Sequence, residues 1–253
     1  MPTVVQRLYQ ACNESFPSSS AATAVPSPRA IHRVRSVLDT IKPVDVGFNE
    51  ELLEDDYGYG FSQPNLQRVP HSPVVDHWEE PITYLHIYEC DRFSIGIFCL
   101  PMSAVIPFHD HPRMTVFSKL LFGSMHIKAY DWVYPMDAET NPLQVRLAKL
   151  KIDNDFTAPC DTTILYPTSG GNIHSFQAVT PCAVLDVLVP PYSDTAGRSC
   201  TYYCDYPYAS LPDDENTVPH VDSDRGYAWL EETEKRDDFI VEGAQYKGPL
   251  IEA

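Results

Sequence analysis

Several common sequence signatures are missing from this chain. Its seven cysteines are an odd number and form no Cys-x-x-Cys pair. A zinc ribbon and a disulfide framework are therefore not predicted, and a reducing, intracellular compartment is expected. The first residues lack the basic start and apolar stretch of a signal peptide, and no apolar run approaches the length of a membrane span. A secreted or membrane-spanning protein is not expected.

Positive charge is also scarce. The chain carries 18 Lys and Arg residues against 35 Asp and Glu residues, for a formal net charge of −17. This balance argues against non-specific binding to nucleic acids or to anionic membranes. It either favours a cationic substrate or partner through steering or only keeps the chain soluble, and both interpretations stay open.

Proline, in contrast, is abundant. The 23 prolines are nearly double the usual share of roughly 5%, which suits a loop-rich β protein better than a helical bundle. From Ile82 onward, β-like runs are mostly separated by Gly, Pro, Asp or Asn. Eight such runs fit a mainly β jelly-roll barrel, and they cover 82–88, 93–100, 114–122, 125–132, 144–151, 162–166, 174–179 and 183–189.

Two helices are predicted ahead of the strands. The first covers residues 2–12. The second has Ser27 as its N-cap and Pro28 in its first turn, carries an apolar stripe, and ends at Pro43. Between them, residues 15–28 are expected to form a flexible linker. We expect both helices to pack on the outside of the barrel.

The whole chain is predicted to form one domain, since single β-barrel domains often reach this length. The C-terminal part is acidic, but it contains apolar clusters around Trp229 and Ile240. It is therefore expected to pack on the barrel. The predicted parts are a helical and extended cover at 1–80, with an acidic irregular stretch at 43–80, the barrel core at 81–204, and the acidic C-terminal segment at 205–253.

The candidate chemistry lies in two histidine motifs. His109-Asp110-His111 forms a His-x-His pair, and His174 follows a Gly-Gly turn at the start of a strand. A His-x-His pair on a strand directs both rings to one face, so all three histidines in register favour a metal site over three structural histidines. The motifs are similar to those of cupin double-stranded β-barrels, but Val116 stands where these usually carry a glutamate. Three neutral imidazoles suit iron, zinc, copper or nickel, and they favour an anionic further ligand such as a thiolate.

Two further residues are candidates for roles beside the metal. Asp186 interrupts an apolar strand, where an unpaired carboxylate is costly. It either forms a structural salt bridge, or it points into the barrel to orient a ligating imidazole or to bind a substrate ammonium. Tyr192 follows two prolines and either packs or donates a hydrogen bond to a bound oxygen ligand. Asp110 is expected to point away from the metal.

The chain resembles the plant cysteine oxidases, within the cysteamine dioxygenase family of thiol dioxygenases. The similar segments lie between Ser27 and about Tyr208, at 41–47, 106–112, 114–124, 128–132, 170–174 and 185–192. The resemblance implies a mononuclear iron(II) cupin, with one iron per chain. By position, it implies His109, His111 and His174 as iron ligands and Asp186 and Tyr192 as catalytic pocket residues.

The same resemblance implies the substrate and the biological role. The expected reaction is the oxidation, by dioxygen, of the N-terminal cysteine of proteins to cysteine sulfinic acid, which would serve oxygen sensing through an N-degron route. We expect a monomer in the cytoplasm, the nucleus or both, without nucleic-acid or membrane partners. Two alternatives stay open: a dioxygenase of free cysteine or cysteamine, and a metal-binding cupin without oxygen chemistry. Free cysteine usually requires an arginine for its carboxylate, and the sequence does not locate one.

Overall fold

The chain folds into two β-sheets with two helices packed on one of them. The computed structural model describes residues 2–16, 25–48, 81–133, 145–210 and 226–253. In chain order the elements are α1 (Val4–Ser15), α2 (Pro28–Leu38), β1 (Ile82–Glu89), β2 (Ser94–Leu100), β3 (Val105–His109), β4 (Thr115–Phe122), β5 (Ser124–Trp132), β6 (Val145–Thr157), β7 (Thr163–Leu165), β8 (Ile173–Ala178), β9 (Cys182–Val189), β10 (Tyr202–Pro207), β11 (Tyr227–Thr233) and β12 (Val241–Ala244).

The strands form one open sheet and one closed barrel. The open sheet has the strand order β12-β1-β2-β9-β4-β7, and the barrel has the order β10-β11-β6-β5-β8-β3. β1 and β12 pair in parallel, and the other paired strands of the described chain run antiparallel. This mainly β architecture, with its helices on the outside, confirms the cupin jelly-roll predicted from the sequence.

An apolar layer between the sheets positions the inner residues. Strand side chains alternate between two faces, so Val184 of β9 packs with Phe176 and Ala129 of the barrel strands. Leu185 and Val187 face the opposite side, in a cluster with residues of both helices. Asp186 shares its face with Val184, and it therefore lies in the layer between the sheets.

Both helices have the caps that their sequences indicate. Ser27 Oγ accepts a hydrogen bond from the backbone N–H of Ala30 at 3.2 Å, with Pro28 in the first turn. The helix ends at Leu38, earlier than the predicted end at Pro43, where a short 3-10 turn begins. α1 covers Val4–Ser15 and so extends past the predicted range 2–12. The chain contains no helix, within its described parts, that is long and apolar enough to cross a membrane.

All eight predicted strands are present, but four strands were not predicted. β3 is short and contains Pro107, and β10, β11 and β12 belong to the C-terminal part. β10 spans the predicted boundary between 204 and 205, β11 pairs with β6 and β10 in the closed barrel, and β12 extends the open sheet. The predicted linker at 15–28 and the acidic stretch at 43–80 lie largely outside the described residues.

Candidate metal centre

Three histidines from two neighbouring strands and the turn after one of them meet between the two sheets. His109 ends β3 and pairs in register with His174 of β8, while His111 follows in the turn after β3. One nitrogen of each imidazole lies within 4.8 Å of the others. The Nε2 atoms of His111 and His174 are 3.4 Å apart. The structure thus brings together the three predicted ligands.

The His-x-His pair differs from the prediction in one respect: the strand stops at His109. Asp110 is the first residue after the strand. Its carboxylate accepts hydrogen bonds from the backbone N–H of Thr201 at 2.9 Å and from the Tyr203 hydroxyl at 3.2 Å. The side chain therefore points away from the metal centre, as predicted. His111 reaches the centre from the turn.

Backbone carbonyls fix the tautomers of two of the imidazoles. His109 Nδ1 lies 2.8 Å from the carbonyl oxygen of Pro107, and His174 Nδ1 lies 3.3 Å from that of Gly171. A carbonyl only accepts hydrogen bonds, so each ring carries its proton on Nδ1 and keeps a free lone pair on Nε2. This pattern, with the second nitrogen held by the protein, is typical of metal-ligating histidines.

The third imidazole is held by Tyr192. The Tyr192 hydroxyl lies 2.7 Å from the carbonyl oxygen of Asp110 and 2.9 Å from Nδ1 of His111. Its single proton goes to the carbonyl, so its oxygen accepts the Nδ1–H of His111. The hydroxyl is thereby engaged in positioning His111, a role that the sequence did not indicate, since it left packing and donation to a bound oxygen ligand open.

The electrostatics of the centre keep the imidazoles neutral. Burial, followed by the neighbouring histidines, holds the pKa values of His111 and His174 well below the usual range. Burial also lowers the pKa of His109, against the opposing effect of its hydrogen bond to Pro107. Neutral imidazole is the form that binds metals. Because the free lone pairs converge on one point, this donor set fits a cation shared between them.

A hydrogen-bond network that the sequence did not reveal holds the loop before His174. The Asp131 carboxylate accepts the backbone N–H groups of Gly170 at 3.0 Å, Gly171 at 2.9 Å and Asn172 at 3.1 Å. Both glycines have a φ of +86°, a backbone conformation in which a residue with a side chain would be strained. The available signal was an acidic residue at the end of β5 in a chain with a Gly-Gly turn. Only the folded structure shows that the two meet.

Asn172 connects this loop to the other ligand segment. Its Oδ1 accepts the backbone N–H of His111 at 3.0 Å, and its Nδ2 donates to the carbonyl of the same residue at 2.9 Å. Because Asp131 also fixes the backbone of Asn172, the positions of His111 and His174 depend on one shared network. The centre is therefore organised by the protein itself.

Replacing Tyr192 with Phe should weaken metal binding and leave the fold intact. The variant keeps the ring but loses the acceptor of the His111 Nδ1–H, and loss of such a partner typically lowers metal affinity by about ten- to a hundred-fold. A competition titration against a chromophoric chelator measures this. Tyr206→Phe is the matched control, because this tyrosine is exposed and its hydroxyl donates a hydrogen bond to Glu231 at 2.9 Å. Equal metal affinities in Tyr192→Phe and the control would contradict the positioning role.

The position of Asp186 follows from its neighbours on the inner face of β9. Val184 packs in the cluster that includes Phe176, whose ring stacks on His174 with centroids 4.5 Å apart. Leu188, the next residue on this face after Asp186, packs in a cluster with Tyr192. Asp186 therefore lies between two apolar clusters that each contact the metal centre.

Asp186 is only 7% exposed, and its carboxylate is incompletely paired. Burial raises the pKa of Asp186 to about 7, although a hydrogen bond with Ser118 acts in the opposite direction. Its Oδ1 has no hydrogen-bond partner among the described residues. Since all three Nδ1 atoms have other acceptors, Asp186 does not orient an imidazole. A buried acceptor without a partner is costly, so this oxygen fits a donor group brought by a ligand.

The fold and the site together define a metal-binding protein of the cupin class, with three neutral histidine ligands and, among the described residues, no carboxylate ligand. The PCO_ADO family model matches residues 37–251, and the chain belongs to this family. Plant cysteine oxidase 2 of Arabidopsis thaliana is 52% identical over 248 residues, which cover 98% of this chain and 83% of the relative. Plant cysteine oxidase 1 of the same plant is 48% identical, covering 99% and 81%. The 2-aminoethanethiol dioxygenase of Mus musculus is 30% identical, covering 99% and 97%.

Proposed function

We propose that the chain is an iron(II)-dependent thiol dioxygenase that oxidises the N-terminal cysteine of protein substrates to cysteine sulfinic acid. The observation that carries this proposal is the three-histidine centre, together with a buried carboxylate that has one oxygen without a hydrogen-bond partner among the described residues. The names of the relatives, plant cysteine oxidase and 2-aminoethanethiol dioxygenase, support a thiol substrate. We further propose that the enzyme acts as a monomer in the cytoplasm or nucleus, and that its product serves oxygen sensing through an N-degron route.

The histidine set suits a thiol in its anionic form. His109, His111 and His174 would hold the iron, which supplies the redox chemistry that joins dioxygen to sulfur. Because neutral imidazoles cancel none of the metal's charge, the centre favours a thiolate over a neutral donor. In the overall reaction both atoms of one dioxygen molecule join the sulfur, which provides the electrons, so no other reductant is needed. The product is the second step of the thiol oxidation ladder.

Asp186 would recognise the amine of the same substrate residue. An N-terminal cysteine presents a thiol and an ammonium on adjacent carbons, so both groups enter the site together. The ammonium donates to Asp186 Oδ1 and satisfies its charge, which a buried carboxylate requires. The rest of the peptide must extend away from the metal centre, and the net charge of −17 of the whole chain favours basic residues downstream of the cysteine.

A small aminothiol is the second candidate substrate. Cysteamine has the same spacing of thiol and amine, and a relative at 30% identity carries the name 2-aminoethanethiol dioxygenase. Asp186 fits its ammonium equally well. A direct competition experiment distinguishes the two substrates: in a mixture of both, the Cys-initiated peptide should be consumed first.

The proposed reaction is tested with iron-loaded protein and a Cys-initiated peptide. Oxygen uptake should match peptide oxidation, and mass spectrometry with isotopically labelled dioxygen should find two labelled oxygen atoms in each sulfinic acid. Zinc-loaded protein is the control, since zinc binds the same ligands without redox chemistry. Absence of oxygen uptake, or a disulfide as the main product, would contradict the proposal.

Asp186→Asn should retain most of its iron and turn over poorly. The amide keeps the shape of the side chain but removes the charge, and a hydrogen bond to a charged group contributes about 1.5–3 kcal/mol. We expect kcat/KM for a Cys-initiated peptide to fall by roughly ten- to a hundred-fold. Asp161→Asn is the control, because this carboxylate is exposed and pairs with Arg35. If Asp186→Asn matches the wild-type rate and peptide affinity, Asp186 is merely structural.

A further inference from the structure

The inner face of the open sheet has a gap beside Asp186. In register, Asp186 pairs with Ser118 on β4 on one side and with Gly96 on β2 on the other. The two inner positions that follow Gly96 on β2 carry the large side chains of Phe98 and Leu100. The β2 position in the row of Asp186 therefore has no side chain of its own.

The ring of Tyr84 occupies this gap. Tyr84 on β1 pairs with Phe98, one row away from Gly96, and the two rings have centroids 4.9 Å apart. A Cβ added to Gly96 would lie 2.6 Å from Cζ of Tyr84 and closer still to its hydroxyl oxygen. The ring thus leans diagonally across β2, as long side chains on diagonal cross-strand positions can. Its hydroxyl ends over Gly96, in the row of Asp186.

We propose that the Tyr84 hydroxyl and the Asp186 carboxylate together bind the α-ammonium of the substrate cysteine. This inference rests on the proposed function, because it concerns the substrate of the same metal centre. An ammonium group offers three N–H donors. Asp186 Oδ1 is a buried acceptor without a partner among the described residues, and the phenolic oxygen of Tyr84 is a second acceptor. Gly96 makes room for the ring that brings this oxygen to the site.

The chemistry of Tyr84 suits an acceptor that adds no charge. Burial, and then the negative charge of Asp186, raise the pKa of Tyr84 to about 12, so its hydroxyl is neutral at physiological pH. Two separate acceptors engage two N–H groups of an ammonium. An acetylated amine has a single N–H and no charge, so it would leave one acceptor unpaired. Tyr84 and Asp186 together therefore favour a cysteine with a free N-terminal amine over a cysteine that is blocked or internal.

Tyr84→Phe tests the role of the hydroxyl, since it removes the oxygen and keeps the ring. Binding of a Cys-initiated peptide to metal-loaded protein is measured by calorimetry without oxygen, and KM and kcat are measured with oxygen. We expect about ten-fold weaker binding and a similar rise in KM, with metal content and kcat close to wild type. Tyr88→Phe is the control on the same strand. A bulge follows His86, and the Tyr88 ring packs on the helix-covered side with Tyr9.

A substrate analogue separates amine binding from general packing. In a desamino-cysteine peptide the thiol remains and the amine is absent, so wild type and Tyr84→Phe should bind it equally. Equal weakening of the cysteine and desamino peptides by Tyr84→Phe would show that Tyr84 only shapes the pocket, and the proposal would be overturned. Unchanged binding of the cysteine peptide would overturn it too.

Gly96→Ala provides an independent test through the same ring. The added methyl group displaces the Tyr84 ring, so we expect about a ten-fold loss of peptide binding, as in Tyr84→Phe. In a Tyr84→Ala background, Gly96→Ala should cause no further loss, because no ring remains to be displaced. A full additional loss in the double variant would count against the proposal.

The outcomes distinguish this inference from the proposed function. If wild-type protein does not oxidise Cys-initiated peptides, the proposed function fails. If wild type is active and Tyr84→Phe is indistinguishable from it in peptide binding and KM, only the assignment of Tyr84 fails.

Discussion

Replacing His174 with Ala should remove the metal and the activity while the barrel remains folded. The centre has three protein ligands and no carboxylate, so the described residues offer no fourth donor to compensate for the loss. Loss of a residue that hydrogen-bonds to a metal ligand typically lowers metal affinity by about ten- to a hundred-fold. Loss of a ligand itself should lower the affinity further. Metal analysis, together with circular dichroism as a measure of folding, checks this expectation.

The control for this variant is another histidine of the barrel. His126 is bound on both ring nitrogens by Asp155 at 2.7 Å and by Asp153 at 2.9 Å, on neighbouring strands away from the metal centre. His126→Ala should therefore keep full metal occupancy and activity. Full metal occupancy in folded His174→Ala would refute the ligand assignment.

Acetylation of the substrate amine should abolish turnover. The acetylated peptide keeps the thiol but brings no positive charge to Asp186, and leaving one charge of a buried pair without its partner costs about 2–5 kcal/mol. We therefore expect kcat/KM to fall at least about thirty-fold. Internal cysteines should be unreactive for the same reason, and free cysteine should be a poor substrate, because its carboxylate would need a cationic partner.

The measurement is mass spectrometry of matched peptides with free and acetylated N-termini, incubated with iron-loaded protein and dioxygen. A third peptide with an internal cysteine serves as the control for thiol reactivity. Equal turnover of the free and acetylated peptides would show that the amine is not recognised. The N-terminal-cysteine hypothesis would then have to be abandoned, although thiol oxidation itself could still hold.

The sequence predicted the histidine ligands because their information is local. His109 and His111 lie two positions apart, and His174 follows a turn whose glycines mark it in the sequence. Residue type alone then indicates metal chemistry. The eight regular strands were predictable for a similar reason, since alternation and turn residues are local signals. β3 escaped because it is short and contains Pro107, which lacks the N–H of a typical strand residue.

The supporting residues were not predictable because their roles depend on contacts between distant segments. Asp131 matters because three backbone N–H groups of another strand's loop point at its carboxylate. Tyr192 was singled out, but its actual partners depend on where the Asp110 carbonyl lies. Tyr84 gained importance only through the register of β1, β2 and β9. Strand order and register across a sheet are not encoded in any short stretch of sequence.

The closure of the barrel links the metal centre to strands that are synthesised after all three histidines. His109 pairs with Tyr202 of β10 as well as with His174 of β8, and β11 joins β10 to β6. In a nascent chain that ends before β10, β3 would pair with β8 only and would be an edge strand with one metal ligand at its end. β3 therefore gains its second neighbour, and the metal centre its closed barrel, only after β10 and β11 have been synthesised.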